Sequence, residues 1–374
     1  TEHLSILIAS RAPLRLAGER EYPLDPLPVP RAGEADLGAL AAVPSVALFV
    51  ERAARVRPGF TLTAENAPDI VRITRQLDGL PLALELAAAR TRVLSVSAIA
   101  ERLGDSLGLL MSASRDLPSR QQTISDAIAW SYDLLREDAR RFFAAFSVFQ
   151  GGARLDEVEQ AWRDDGDVLE LIGDLVDQSL VRRVADEGPR FAMLDLVRAY
   201  ATARLRESPE AARVAAAHAR VYADLASDLS RHLLGSDRHR HIERLEEEHD
   251  NLRAALEWLI RNDPDEAARL GGALWRFWHM RGYILEGLDW LERVLEASPS
   301  PERRLEALIG AGGLAYWGRE MDGASRRFSE ATDLGRALGD RHGEAEGLYN
   351  SAFPCIHYGQ LDEAARFVGA ARAA

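Results

Sequence analysis

Leu180-Val181-Arg182-Arg183-Val184 and Arg190-Phe191-Ala192-Met193, with Ala185-Asp186-Glu187-Gly188-Pro189 between them, decide how the middle of this chain folds. The outer runs alternate like strands and the inner run has turn composition, so the stretch reads as a β-hairpin. Four helical patterns precede it. Residues 121–135 carry Ile124, Ile128, Ser131 and Leu135 on one stripe, and residues 139–149 carry Phe142, Phe143 and Phe146. Residues 155–162 and 168–178 follow, and residues 196–206 form another helix after the hairpin. Three helices and a hairpin describe a winged helix, here with an extra leading helix.

Upstream, Leu4-Ser5-Ile6-Leu7-Ile8-Ala9-Ser10 is a short apolar run that ends abruptly at Arg11, as a buried strand does. Pro23, Pro26, Pro28 and Pro30 then predict a stiff, extended connector. Helical periodicity begins at Ser45, a predicted cap for a helix with Val46, Phe49, Val50 and Ala53 on one face. Residues 63–77 and 81–92 give two more amphipathic helices, and residues 96–103 a short fourth. Between the first two stands Asp78-Gly79-Leu80-Pro81, where Gly79 ends one helix and Pro81 lies in the first turn of the next.

Downstream of Ser208-Pro209 every pattern is helical and the sequence repeats. Gly282-Tyr283 precedes Gly287-Leu288, Tyr316-Trp317-Gly318 precedes Gly323-Ala324, and Tyr358-Gly359 precedes Glu363-Ala364. The intervals are 36 residues from Leu288 to Ala324 and 40 from Ala324 to Ala364. An aromatic, a glycine and a small residue across each helix-turn-helix is a tetratricopeptide-like pattern with longer spacing, and such an array offers a concave surface to a ligand or protein.

Composition sets limits. A net charge of -13 recruits neither nucleic acid nor an anionic membrane surface. With one cysteine, Cys355, no internal disulfide can form, which suits a reducing cytoplasm. No apolar run approaches the roughly 20 residues of a membrane span, and the first ten residues lack the cationic flank of a secretory signal. The chain starts at Thr1 and stops at Ala374 within a helical pattern, so it is expected to be part of a longer protein. All 46 basic residues are arginine. A Walker A loop requires a lysine to reach the β- and γ-phosphates, so no complete P-loop is present.

Four motifs, in order, resemble the STAND/NB-ARC regulatory ATPases. Ile6-Leu7-Ile8-Ala9-Ser10-Arg11 resembles their sensor 1 strand, and the proline connector with Ser45-Val46-Ala47-Leu48-Phe49 resembles the start of their helical lid. Gly79-Leu80-Pro81-Leu82-Ala83-Leu84 resembles their GLPLA motif. Phe191-Ala192-Met193-Leu194-Asp195-Leu196 falls where they carry an MHD motif. The match is closest to large bacterial transcriptional regulators, in which such modules and tetratricopeptide arrays accompany a LuxR-type or SARP-type DNA-binding domain.

The resemblance implies a mainly α chain. Residues 1–31 would be the end of an α/β NTPase core, 32–117 a helical lid, 118–207 a winged-helix domain and 208–374 a tetratricopeptide-like solenoid. It implies a signal-responsive ADP/ATP switch over transcription, with Mg in the intact protein and no tight nucleotide binding by this part alone. The nucleotide-binding residues would be Ser10, Arg11, Gly79, Leu80, Pro81 and Asp195. The implied partners are an inducer or protein on the repeats, further copies of the chain when ATP is bound, and DNA only through a domain outside these residues. No membrane partner is implied. A non-enzymatic interaction scaffold with a degenerate nucleotide site is the alternative.

Each candidate also has a plainer reading. Arg11, whose guanidinium suits a terminal phosphate, would otherwise be a surface residue ending a strand. Gly79-Leu80-Pro81 would be an ordinary helix junction, and Asp195 a helix N-cap. Leu194 stands where the family has histidine and cannot donate to a phosphate. The candidate recognition helix carries Asp167, Glu170, Asp174 and Asp177 and no arginine, which disfavours DNA contact. His232, His239, His241 and His249 lie in a charged stretch without the spacing of a metal site. Trp275, Phe277, Trp278, Trp290 and Trp317 read as core of the array. No catalytic constellation stands out.

Overall fold

The computed structural model describes residues 22, 24–31, 34, 36–92, 94–105, 128–129, 131–162, 166–184 and 189–374. The expected sensor strand, with Ser10 and Arg11, and most of the predicted helix 121–135 lie outside the described residues. The described chain is mainly helical and divides into two compact units. One comprises residues up to Ser147, Arg154–Val158 and Asp164–Ala211; the other comprises Val148–Ala153, Glu159–Arg163 and Ala212–Ala374.

The first unit opens with the connector and the short helix α1 (Leu37–Ala42), whose N-cap Asp36 accepts from the Ala39 N–H at 2.7 Å. Six residues are too few to show a periodicity, and the sequence did not mark this helix. Helix α2 (Pro44–Val56) follows, capped by Val43 with Pro44 in its first turn. Ser45 is therefore not the cap; it is wholly buried in that first turn, because proline pre-sets the helical φ at N1 and loses no bond there. Val46, Phe49 and Ala53 face inward as predicted, with Phe60 edge-on to Phe49 at 6.3 Å. Helices α3 (Ala67–Gln76), α4 (Pro81–Ala89) and α5 (Val96–Asp105) complete the helical region before the winged helix, and a 3-10 turn covers Arg90–Arg92.

The winged-helix region contains α6 (Glu137–Phe146), strand β1 (Ala153–Arg154), α7 (Leu155–Ala161), α8 (Val168–Asp177), strands β2 (Arg182–Val184) and β3 (Arg190–Ala192), and α9 (Asp195–Arg206). The hairpin pairs antiparallel in the register Arg182 with Ala192, Arg183 with Phe191 and Val184 with Arg190. The sheet order is β1-β3-β2. A two-residue strand has no readable alternation, so β1 was missed. Its position explains why β3 is buried throughout while Arg182 and Arg183 are exposed: β3 is the central strand. Phe142, Phe143 and Phe146 are buried, and Tyr200 of α9 packs beside Phe143 and Tyr132.

The second unit is a solenoid-like run of helices. These are α10 (Ala211–Ser230), α11 (Arg238–Glu247), α12 (His249–Asn262), α13 (Pro264–Arg281), α14 (Ile284–Glu296), α15 (Pro301–Trp317), α16 (Met321–Leu338), α17 (Arg341–His357) and α18 (Leu361–Ala373). The repeated glycines mark turns and close approaches. A Cβ on Gly287 would stand 2.6 Å from the Trp278 ring and 2.8 Å from Leu314, so only glycine lets α14 lie against its neighbours. Phe277 and Trp278 are buried as expected, but Trp317 is 52% exposed. It lies at the C-terminal end of α15 and stacks on His279 at 4.3 Å, so it is a surface aromatic and not core.

Asn251 organises a buried polar cluster in this unit. Its Oδ1 accepts from the Gln150 N–H at 2.7 Å and lies 3.2 Å from His218 Nε2. Its Nδ2 donates to the Gly152 carbonyl at 2.9 Å and to Glu248 Oε2 at 2.8 Å. With the amide oxygen as acceptor, His218 must donate from Nε2. Burial pushes the His218 imidazole down to about 4, so it is neutral.

Candidate functional site

The Asp78-Gly79-Leu80-Pro81 turn is held from three sides. Helix α3 closes over it, with the Asp78 N–H donating to the Arg75 carbonyl and the Gly79 N–H to the Thr74 carbonyl at 3.1 Å. Asp78 and Gly79 are both left-handed, at φ 51° and 65°. Aspartate tolerates that region better than most side chains. The Gly79 carbonyl accepts from the Leu27 N–H at 3.0 Å, and a Cβ on Gly79 would stand 1.9 Å from the Leu27 carbonyl oxygen. The proline connector therefore lies directly on the glycine. Pro81 then opens α4 as its first residue.

The third side is Asp195. Its N–H donates to Asp78 Oδ2 at 2.5 Å across 117 residues of sequence. Asp195 is the first residue of α9, and the N-cap is Leu194, which makes no side-chain bond. The expected N-cap role for Asp195 does not hold. Instead its own N–H is one of the donors a helix start leaves open, and the Asp78 carboxylate fills it. The Asp195 carboxylate pairs with Arg198. Burial, seconded by the Asp195 charge, pushes the Asp78 carboxyl up to about 6, against the Asp195 N–H, Arg182 and Arg198, which pull it down.

The structure thus brings Gly79, Leu80, Pro81 and Asp195 together, while Ser10 and Arg11 lie outside the described residues. Asp78, the residue that joins them, was missed. The Asp-Gly pair marked a turn, but nothing local in sequence shows that a side chain there meets position 195. Leu194 is half-buried at the helix start.

On the candidate recognition helix α8, Glu170 and Asp174 both contact Arg136, at 3.2 and 3.1 Å. The Glu170 side chain is 63% exposed. Among the described residues no group of three or more His, Cys, Asp or Glu could hold a metal ion, and no helix is long and apolar enough to cross a membrane. His232 and His241 stack on each other at 5.1 Å.

Residues 135–206 match the family profile of the winged helix-turn-helix domain. Two proteins named as HTH-type transcriptional regulators, from Mycobacterium tuberculosis and Mycobacterium bovis, are 34% identical over 402 aligned positions, which cover 92% of this chain and 44% of each relative. An uncharacterised Mycobacterium tuberculosis protein is 35% identical over 219 positions, 57% of this chain and 53% of that one. A solved STAND protein with a tetratricopeptide repeat sensor, from Pyrococcus horikoshii, aligns over 76% of this chain and 52% of its own at 14% identity and a TM-score of 0.27. The chain therefore carries a winged helix-turn-helix domain, and it spans less than half the length of the HTH-type regulators it matches.

Proposed function

We propose that these residues are the lid, winged-helix and sensing parts of a nucleotide-dependent switch that controls transcription. The observation that carries this reading is the bond from the Asp195 N–H to Asp78. It ties the turn that would meet adenine to the first residue of the last winged-helix helix. Transcriptional control is what the 34%-identical relatives are named for.

The described residues would supply one side of a site for ADP or ATP. Leu80 is half-buried and Pro81 exposed, which leaves an apolar surface on which a purine could lie. Asp195 would act as the latch. The phosphates would fall to Arg11, whose guanidinium supplies a bidentate donor, and to a Mg-bearing P-loop in the longer protein. A nucleotide that prefers the latched form holds it, and an inducer that prefers the open form opposes it, each by its differential affinity. ADP would favour the latched form, and ATP an open form that self-associates. Bases would be read by a LuxR-type or SARP-type domain outside these residues. The acidic face of α8 supports a packing role for this winged helix.

The test uses the intact protein and equilibrium dialysis of ADP. Arg11→Ala, which removes a donor to phosphate, and Asp78→Ala, which removes the acceptor of the Asp195 N–H, are each expected to weaken ADP binding about tenfold. Unaltered affinity in both would remove the reading. The coding sequence upstream should hold G-x-x-x-x-G-K-[ST] on the order of 100 residues before Ser10; without it, the interaction-scaffold alternative stands.

A further inference from the structure

Three helices of the second unit, α16, α17 and α18, line an open cleft of about 510 Å³. That volume is in the range of small-molecule sites. Three of the five hydroxyls on its wall, those of Thr332, Ser351 and Tyr358 but not Ser325 and Ser329, have spent their protons. Thr332 Oγ1 donates to the Phe328 carbonyl at 2.8 Å, Ser351 Oγ to the Gly347 carbonyl at 2.9 Å, and Tyr358 Oη to Asp322 at 3.1 Å. What these oxygens still offer is lone pairs. Pro354, inside α17 and also on the wall, has no N–H for the Asn350 carbonyl four residues back.

The charges lean the same way. Arg336 is bonded to Asp333 at 3.1 Å and to Glu344 at 3.0 Å, one cation against two carboxylates. Glu363 lines the opposite wall. Cys355, also on the wall, feels the Glu363 charge: burial first, then Glu363, hold its thiol above the usual range, with Arg366 pulling the other way. Leu348, Pro354 and Phe367 supply an apolar surface beside these acceptors.

We propose that this cavity binds a small organic cation, a primary amine carried on a compact apolar body. The ammonium would donate its three protons to the acceptors and meet the excess negative charge, while the body packs on Phe367 and Leu348. An anion would meet the Asp333 and Glu363 carboxylates. The proposal deepens the sensing role given above to the array and rests on that reading only for its consequence, not for binding.

Cys355 is the sole cysteine, so its modification by a disulfide reagent reports the cavity alone. Phenethylamine is expected to slow Cys355 modification at least fivefold, saturably, while 2-phenylethanol, glucose and inorganic phosphate do not. Glu363→Gln, normalised to its own unliganded rate and checked by circular dichroism for folding, should raise the half-protecting amine concentration about tenfold. Protection by the alcohol equal to that by the amine, stronger protection by phosphate, or no protection by the amine would each overturn the assignment. Loss of ADP binding in the dialysis experiment would leave this result untouched, and the converse holds.

Discussion

The Asp195 N–H and the Asp78 carboxylate meet at 2.5 Å, and this one bond fixes the Asp78-Gly79 turn to the start of a winged-helix helix. Burial disfavours the ionised Asp78 carboxyl, and the nearby Asp195 charge adds to that effect. The Asp78 carboxyl consequently sits at about 6 rather than 3.8.

A raised carboxyl makes the folded first unit bind a proton more tightly than the unfolded chain does. Its contribution to stability is full below about 3.8 and is lost as the pH rises through about 6. Asp78→Asn keeps an acceptor for the Asp195 N–H and removes the titration. Urea unfolding of the variant between those values should lack the downward slope with rising pH that the parent shows.

His218 has the opposite sign. Its imidazole is held at about 4, below 6.5, so its contribution is present above 6.5 and lost as the pH falls through about 4. His218→Gln, which can still donate to Asn251, should flatten that acid-side loss in the second unit. A parallel urea series that leaves the loss in place would refute this origin.

Gly79→Ala should destabilise the first unit by more than about 2 kcal/mol, because left-handed strain adds to a collision with main chain. Gly59 is a built-in control: its φ is 86° but nothing lies within 4 Å of its Cβ position. Gly59→Ala should cost about 1 kcal/mol, the strain alone. Chemical denaturation of the pair separates the two effects.

Trp278 and Trp317 should part company on truncation. Trp278 is 1% exposed and Trp317 52%, so Trp278→Ala should cost about 3–5 kcal/mol and Trp317→Ala under about 1 kcal/mol. Equal losses in thermal unfolding would contradict the placement of Trp317 on the surface.

The chain should not shift duplex DNA, even at about 50 mM salt, where phosphate contacts are strongest. Arg136 is bonded to Glu170 and Asp174 on α8, so its charge is committed there. A shift that weakens steeply with added salt would show that the winged helix binds the duplex after all.

How much of this was legible beforehand follows from how local each signal is. Helix periodicity, the Gly79-Pro81 junction, the hairpin at 182–192 and the repeated helix pairs are written within a few residues of one another, and each is present in the structure. The helix starts were less legible, because Val43 and Leu194 hold the N-cap positions that the sequence assigned to Ser45 and Asp195. The absence of lysine excluded a complete phosphate loop by chemistry alone. Long-range partners could not be read in that way. That Asp78 would fill the open donor of Asp195, that Asn251 would clasp Gln150 and Gly152 from 101 and 99 residues away, and that Trp317 would face outward all depend on which surfaces the packed helices bring together. Local sequence sets the period and the punctuation of the chain. Only the tertiary arrangement decides which unsatisfied donor meets which acceptor.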